Sequence, residues 1–260
     1  MKYLAIFRTQ VLNRLTYAGD LAAQSISIVL FLWIFFQLWR ATFRSSGVSE
    51  INGLSLNDTL WYLMIAETIA LSKPRISRRI SEDVKDGSIA YLLNKPYNFL
   101  LYQLSVGLGD GITAMVFNIV LGGLTVWLLV GPPPPVSGWL FTLIAIVLSW
   151  LIDFCFNAMI GLAAFVAEEV NAFEWIYQKT VFLLGGLLIP LDFFPGWIQK
   201  IAFSLPFAYI LYGPARLFVD PTFERFISLI SIQLAWLLLG GTILAFIFQR
   251  GVRRLVINGG

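Results

Sequence analysis

Apolar residues in this chain come in long blocks rather than in alternation. Six blocks read as membrane-crossing helices: Leu21 to Trp39, Leu56 to Leu71, a stretch within Phe99 to Val130, another within Trp139 to Val166, Trp175 to Ile189, and Phe226 to Phe248. Crossing the hydrocarbon of a bilayer takes about 20 mostly apolar residues. The third and fourth blocks exceed that length, which predicts tilt or an interfacial first turn. The second and fifth are short, and they read as spans because the charges beside them make sense only if they cross.

Two segments follow a different rhythm. In MKYLAIFRTQVLNRLTYAGD, Leu4, Phe7, Val11, Leu12 and Leu15 fall on one helical face, with Lys2, Arg8 and Arg14 largely off it. This predicts an amphipathic helix lying in the membrane interface, with a solvated leader as the plainer alternative. In RRISEDVKDGSIAYLLNKP, residues 78 to 96, four basic and three acidic side chains interrupt the apolar text. Pro74 can open a helix there, and Gly87 can stop it. Ile76, Ile80 and Val84 recur every four residues, while Arg78, Arg79, Glu82, Asp83, Lys85 and Asp86 take the other faces. Arg78 with Glu82, and Arg79 with Asp83, are spaced to pair along the surface. The segment is too polar to span. It is either a loop helix resting on the membrane or a helix seated by its apolar ridge in a partner's groove, with rim charges holding it.

Composition agrees with the blocks. Of 260 residues 58% are hydrophobic and 13% charged, against roughly 25% charged in soluble domains. The expectation is a single all-α polytopic membrane domain over residues 1–260. There is no histidine and one cysteine, Cys155. That removes the usual transition-metal ligand sets and the Ser/His/Asp and Cys/His arrangements, so neither a metal site nor a catalytic residue is expected. The net charge of +3 does not point to nucleic acid, because the basic residues lie beside apolar blocks. The first block is longer than a signal-peptide core and lacks a cleavage site, so an uncleaved anchor is expected.

Lysine and arginine placement sets the expected orientation. With a cytoplasmic N-terminus, the inner segments hold thirteen of these residues and the outer segments five: Arg40, Arg44, Lys200, Arg216 and Arg225. Both termini are then cytoplasmic, residues 73–97 face the cytosol, and Gly131 to Pro135 forms a rigid outer link. Residues 190–220 lie outside. Pro190, Pro195, Pro206 and Pro214 cut them into pieces too short to cross, which predicts short re-entrant helices before the sixth span. Phe194 and Trp197 suit an interfacial anchor. The region reads as an outer gate or as a simple surface cap.

These parts resemble a permease subunit of the ABC-2 class of ATP-binding-cassette exporters. The resemblance is carried by RRISEDVKDGSIAYLLNKP, by GGLLIPLDFFPGWIQKIAFSLPFAYILYGPARLFVD (residues 185 to 220), and by the order of interfacial helix, six spans and charged helix after the second span. It implies a half-transporter in the plasma (inner) membrane, paired with a second permease of the same or a related chain. It also implies cytosolic ABC ATPase subunits that bind ATP and magnesium, with no cofactor in this chain. The segment from Pro74 to Lys95 would contain the coupling helix, and the N-terminal segment would be the family's connecting helix. No G-x-x-x-x-G-K-[ST] loop occurs, and the glycine cluster GLGDG, Gly107 to Gly111, reads as close helix packing.

Glu67, Asp110 and Asp153 fall within the apolar blocks. A charge at a helix centre costs roughly 2.5–3.5 kcal/mol to insert, so each needs a partner, water or a proton. They read as lining of a translocation path or subunit seam, or as satisfied hydrogen-bonding groups between helices. Glu168, Glu169 and Glu174 could meet the charged helix or an ATPase. The same acids keep open an ion-coupled secondary transporter. A membrane-embedded enzyme or a scaffold for an ATPase are the remaining alternatives.

Overall fold

The computed structural model describes residues 2–134, 138–167 and 169–258. Eleven helices follow in order among them: α1 Lys2–Thr16, α2 Ala18–Ser46, α3 Leu56–Leu71, α4 Ile76–Lys85, α5 Ser88–Leu93, α6 Phe99–Val130, α7 Trp139–Leu162, α8 Asn171–Leu184, α9 Gly196–Phe203, α10 Tyr212–Val219 and α11 Phe223–Asn258. Two short strands, β1 Glu50–Ile51 and β2 Leu54–Ser55, make an antiparallel hairpin between α2 and α3. Its turn holds Asn52 at φ 49° and Gly53 at φ 75°, the left-handed pair that a two-residue hairpin turn requires.

Local chemistry explains where the helices begin and stop. Ser55 and Asp58 form a capping box at the start of α3, each side chain accepting the other's backbone N–H. Asn98 caps α6 by accepting from the Leu101 N–H at 3.0 Å. Gly47 ends α2 in the left-handed region at φ 66°. Gly87, at φ 77°, separates α4 from α5.

Among the described residues four helices are long and apolar enough to cross a membrane: α2, α6, α7 with the 3-10 turn that extends it to Phe165, and α11 over Phe223–Arg253. The second expected block is α3, with the expected bounds, but its 16 residues fall short of that length. Its Thr59 to Ile69 are all buried, so protein surrounds this helix. The fifth expected block starts earlier and stops sooner than the pattern indicated. Helix α8 ends at Leu184 because Gly186 turns at φ 72°, and the Gly186 carbonyl accepts the buried Tyr62 hydroxyl at 2.6 Å.

Two cores result. The larger surrounds α3, where Ile28, Leu32, Leu63, Met64, Ile146 and Leu211 pack together. The smaller lies under α4 and joins Ile76, Ile80, Ile89, Phe99, Phe154, Leu162 and Leu244. In the link between α6 and α7, expected to lie outside, Gly131 adopts φ 111°. Pro135, its expected last residue, lies outside the described residues.

Candidate functional site

Glycines in α6 let two other helices come against its backbone. A Cβ on Gly107 would stand 2.7 Å from Ile76 Cδ1, and one on Gly109 would stand 2.9 Å from Gln10 Cβ and 3.0 Å from the Phe7 carbonyl oxygen. The GLGDG stretch is thus a packing seam. Helix α1 lies along one side of it and the start of α4 along the other. Asp110, between Gly109 and Gly111, binds both helices. Its Oδ1 accepts from Gln10 Nε2 and from Arg14 Nε, each at 2.8 Å, and its Oδ2 accepts from Arg79 Nη2 at 2.8 Å.

Helix α1 therefore presents Phe7, Gln10, Val11 and Arg14 to the protein, while Leu4, Leu12 and Leu15 stay exposed. The apolar face expected from the sequence splits. Phe7 and Val11 turn inward, and the three leucines form an outward surface suited to a membrane interface.

The apolar ridge of α4 also corrects the expectation. Ile76 and Ile80 are 1% and 0% exposed, inside the chain's own core rather than offered to a partner's groove. Val84 is half-buried beside them. The seat is Gly161 on α7, where a Cβ would lie 2.8 Å from both Ile80 Cβ and the Ser77 carbonyl oxygen. Buried Ser77 and Ser81 flank the ridge and let the helices approach.

The charges of α4 divide between two faces. Arg78 pairs with Glu82 at 3.1 Å on the exposed face, as its spacing predicts. Arg79 does not pair with Asp83, because the buried Asp110 carboxylate competes for it. Asp83 accepts instead from Gln103 Nε2 at 2.6 Å and from Ser88 Oγ at 3.2 Å. Burial pushes the Asp83 carboxyl above its ordinary range, opposed by those two bonds. The Ser88 backbone N–H draws Asp86 the other way. Lys85 and Asp86 are exposed, and Lys85 Nζ lies 3.9 Å from Glu169. Glu168 lies outside the described residues, and Glu174 accepts from Gln178 on its own helix at 3.0 Å.

Asp153 is the second paired acid. Its Oδ1 accepts from Lys73 Nζ and from the Tyr177 hydroxyl, each at 2.8 Å, and Asn157 Nδ2 donates to its Oδ2 at 2.9 Å. The loop leading into α4 is thereby joined to α7 and α8. A cavity of about 300 Å³ opens at this junction, with Lys73, Arg75, Asp153 and Tyr177 in its wall. Glu67 differs from both other acids. It is buried within α3, and its Oε2 has no partner among the described residues.

The family model for ABC-2 family transporter protein matches residues 28–259. The chain belongs to that family. It is an ABC-2 type permease, and its long apolar helices make it a multi-pass membrane protein. A comparison with curated proteins finds no match.

Beyond α8 the permease breaks into the short pieces its prolines predicted. Pro190 precedes a 3-10 turn, Pro195 precedes α9, and Pro206 opens another 3-10 turn. Pro214 breaks nothing. It stands in the first turn of α10, where its missing N–H costs no helical bond. Pro190 and Pro206 are buried, Phe194 is half-buried, and Trp197 is exposed as an interfacial anchor would be. Sequence reasoning missed the polar network that holds these pieces. Asp192 Oδ1 accepts from Tyr212 Oη at 3.1 Å and lies 3.5 Å from Arg216 Nε. Asn52, in the hairpin turn, donates to the Asp192 carbonyl at 2.6 Å. A cluster of Asp, Arg and Tyr in an otherwise apolar region was the available signal.

Proposed function

We propose that this permease supplies the translocation path of an exporter and is driven through α4 by separate cytosolic ATPase subunits that bind ATP and magnesium. It crosses the membrane six times, α3 and α8 being the short crossings, with both termini in the cytosol of a plasma (inner) membrane. A second permease, the same chain or a related one, completes the path. Helix α4 is the coupling helix, and α1 is the connecting helix.

One observation carries this reading: the Asp110 carboxylate holds α1 and α4 together on α6. Helix α4 also rests on α7 at Gly161, and its leading loop reaches α7 and α8 through Lys73, Asp153 and Tyr177. A load on the solvent face of α4 is thus delivered to four other helices through short, directional contacts. The face left for a partner is Arg75, Arg78, Glu82, Lys85 and Asp86, all exposed. Ion coupling is the weaker reading, because arginine or lysine already occupies two of the three acids it would use. The outer pieces from Pro190 to Tyr209, with Phe194, Pro195, Trp197 and Pro206, act as the outer gate.

Cysteine cross-linking tests the docking face. Positions 78, 82 and 86, changed to cysteine in a Cys155→Ser background, should cross-link an ATPase subunit in native membranes, whereas positions 77 and 81 should not. Capture of no ATPase from the solvent face, or labelling of position 82 from outside an intact cell, would overturn the assignment.

A further inference from the structure

Helices α6 and α7 are neighbours in sequence, yet their backbones stay apart, with contact through side chains such as Trp150 against Gly111 at the inner end. Helix α6 packs against α1, α2 and α3, and α7 against α4, α10 and α11. Between them lies a groove of about 710 Å³, within the roughly 300–1,000 Å³ of small-molecule sites. Its floor is Met64 and Ile65 of α3, its walls include Ile119 and Leu143, and Trp127 and Trp139 stand at the end beside the outer link. The lining is almost wholly apolar. Water has too few polar partners there to settle, and an empty groove would forfeit dispersion contacts along both walls.

We propose that this groove holds one acyl chain of a membrane lipid as a resident ligand. Both walls belong to helices that cross the bilayer, so hydrocarbon is the medium that meets the opening. From Met115 to Trp127 the groove runs about 18 Å along α6 at 1.5 Å per residue. One leaflet's share of a 30 Å hydrocarbon core is about 15 Å. Indole rings prefer the headgroup level, which places the headgroup beside Trp127 and Trp139 and the chain end near Met64 and Met115. The methionines give the inner end an adaptable lining. The inference rests only on α6 and α7 crossing the bilayer, not on the energy source or direction of transport.

Gly123 provides the test. A Cβ there would meet only Trp61 Cζ3, at 3.9 Å, so a larger side chain grows into the groove without striking the backbone. The full permease is loaded with phosphatidylethanolamine carrying a diazirine midway along one chain, washed in detergent to strip bulk lipid, weighed by native mass spectrometry and irradiated. One lipid should remain per chain and label peptides containing Ile119 and Leu143, while Leu238, on an exposed face of α11, should be spared. Retention should fall severalfold in Gly123→Leu and persist in Gly123→Ala. Leu143→Trp, at the open edge, repeats the block should Gly123→Leu fail to fold. Loss of all lipid from the unaltered chain, equal retention in a folded blocking variant, label on Leu238 rather than the groove, or a second copy cross-linked into the groove would each overturn the proposal.

Discussion

Ile80 and Glu82 are two residues apart on α4, yet Ile80 is wholly buried against Gly161 and Glu82 is 64% exposed beside Arg78. The inward face carries Ile76, Ser77, Ile80 and Ser81, with Arg79 and Asp83 turned to partners on α6. The outward face carries charges whose bonds stay local, Arg78 to Glu82 on the same helix and Asp86 to the Ser88 N–H just beyond it. An inward residue acts by holding the helix in place, and an outward one acts only when something arrives. The two faces should therefore respond to substitution in different currencies, folding for the first and association for the second.

The strongest challenge is Ile80→Asp. An unpaired charge would enter a fully buried apolar site, and destabilisation of about 4 kcal/mol or more is expected, read as loss of folded permease in a thermal-shift or yield assay. Survival of a well-folded chain would break the distinction. Asp110→Ala comes next. Removing one member of a fully buried pair costs about 3–5 kcal/mol. Arg14 and Arg79 are 40% and 32% exposed, so solvent recovers part of that and about 2–3 kcal/mol is expected. The chain that remains folded should hydrolyse ATP with its ATPase while transporting poorly.

Gly161→Ala should cost about 1–2 kcal/mol by overpacking, since its new methyl meets Ile80 Cβ and the Ser77 carbonyl at 2.8 Å. Chemical denaturation in detergent measures it, and an unchanged midpoint would move the seat of α4 elsewhere. Glu82→Ala should change stability by no more than about 0.5 kcal/mol. Its measurable effect should be weaker co-purification of the ATPase. A large stability loss there would erase the contrast between the two faces.

Which features were legible follows the range of the interactions behind them. The bounds of α3 and the end of α4 depend on Ser55, Asp58 and Gly87, all within or beside the helices they delimit, whereas α4 begins at Ile76 with Arg75 at its N-cap, so Pro74 stands ahead of the helix it was expected to open. The direction of the α4 ridge depends on Gly161, some 80 positions away, and Arg79 chose Asp110 over the nearer Asp83. Periodicity found the ridge but could not say what it met. Ser77 and Ser81, four apart and adjacent to Ile76 and Ile80, were the overlooked local sign, because small polar residues beside a ridge mark a helix about to be approached closely. The early end of α8 had a local sign in Gly185 and Gly186, whereas the bond from Tyr62 to the Gly186 carbonyl, more than a hundred residues away, has none within residues 171–189.

Helix α3 carries a consequence for how the permease is made. It is 16 residues long, encased over most of its length, and bears Glu67 on a buried face. At 1.5 Å per residue it measures about 24 Å, less than the 30 Å of hydrocarbon. Lipid alone therefore gives it little reason to stay. The helices that enclose it include α6 and α10, which leave the ribosome later. On the six-crossing arrangement proposed above, its place in the bilayer would be secured retroactively, by neighbours that do not yet exist when it is synthesised.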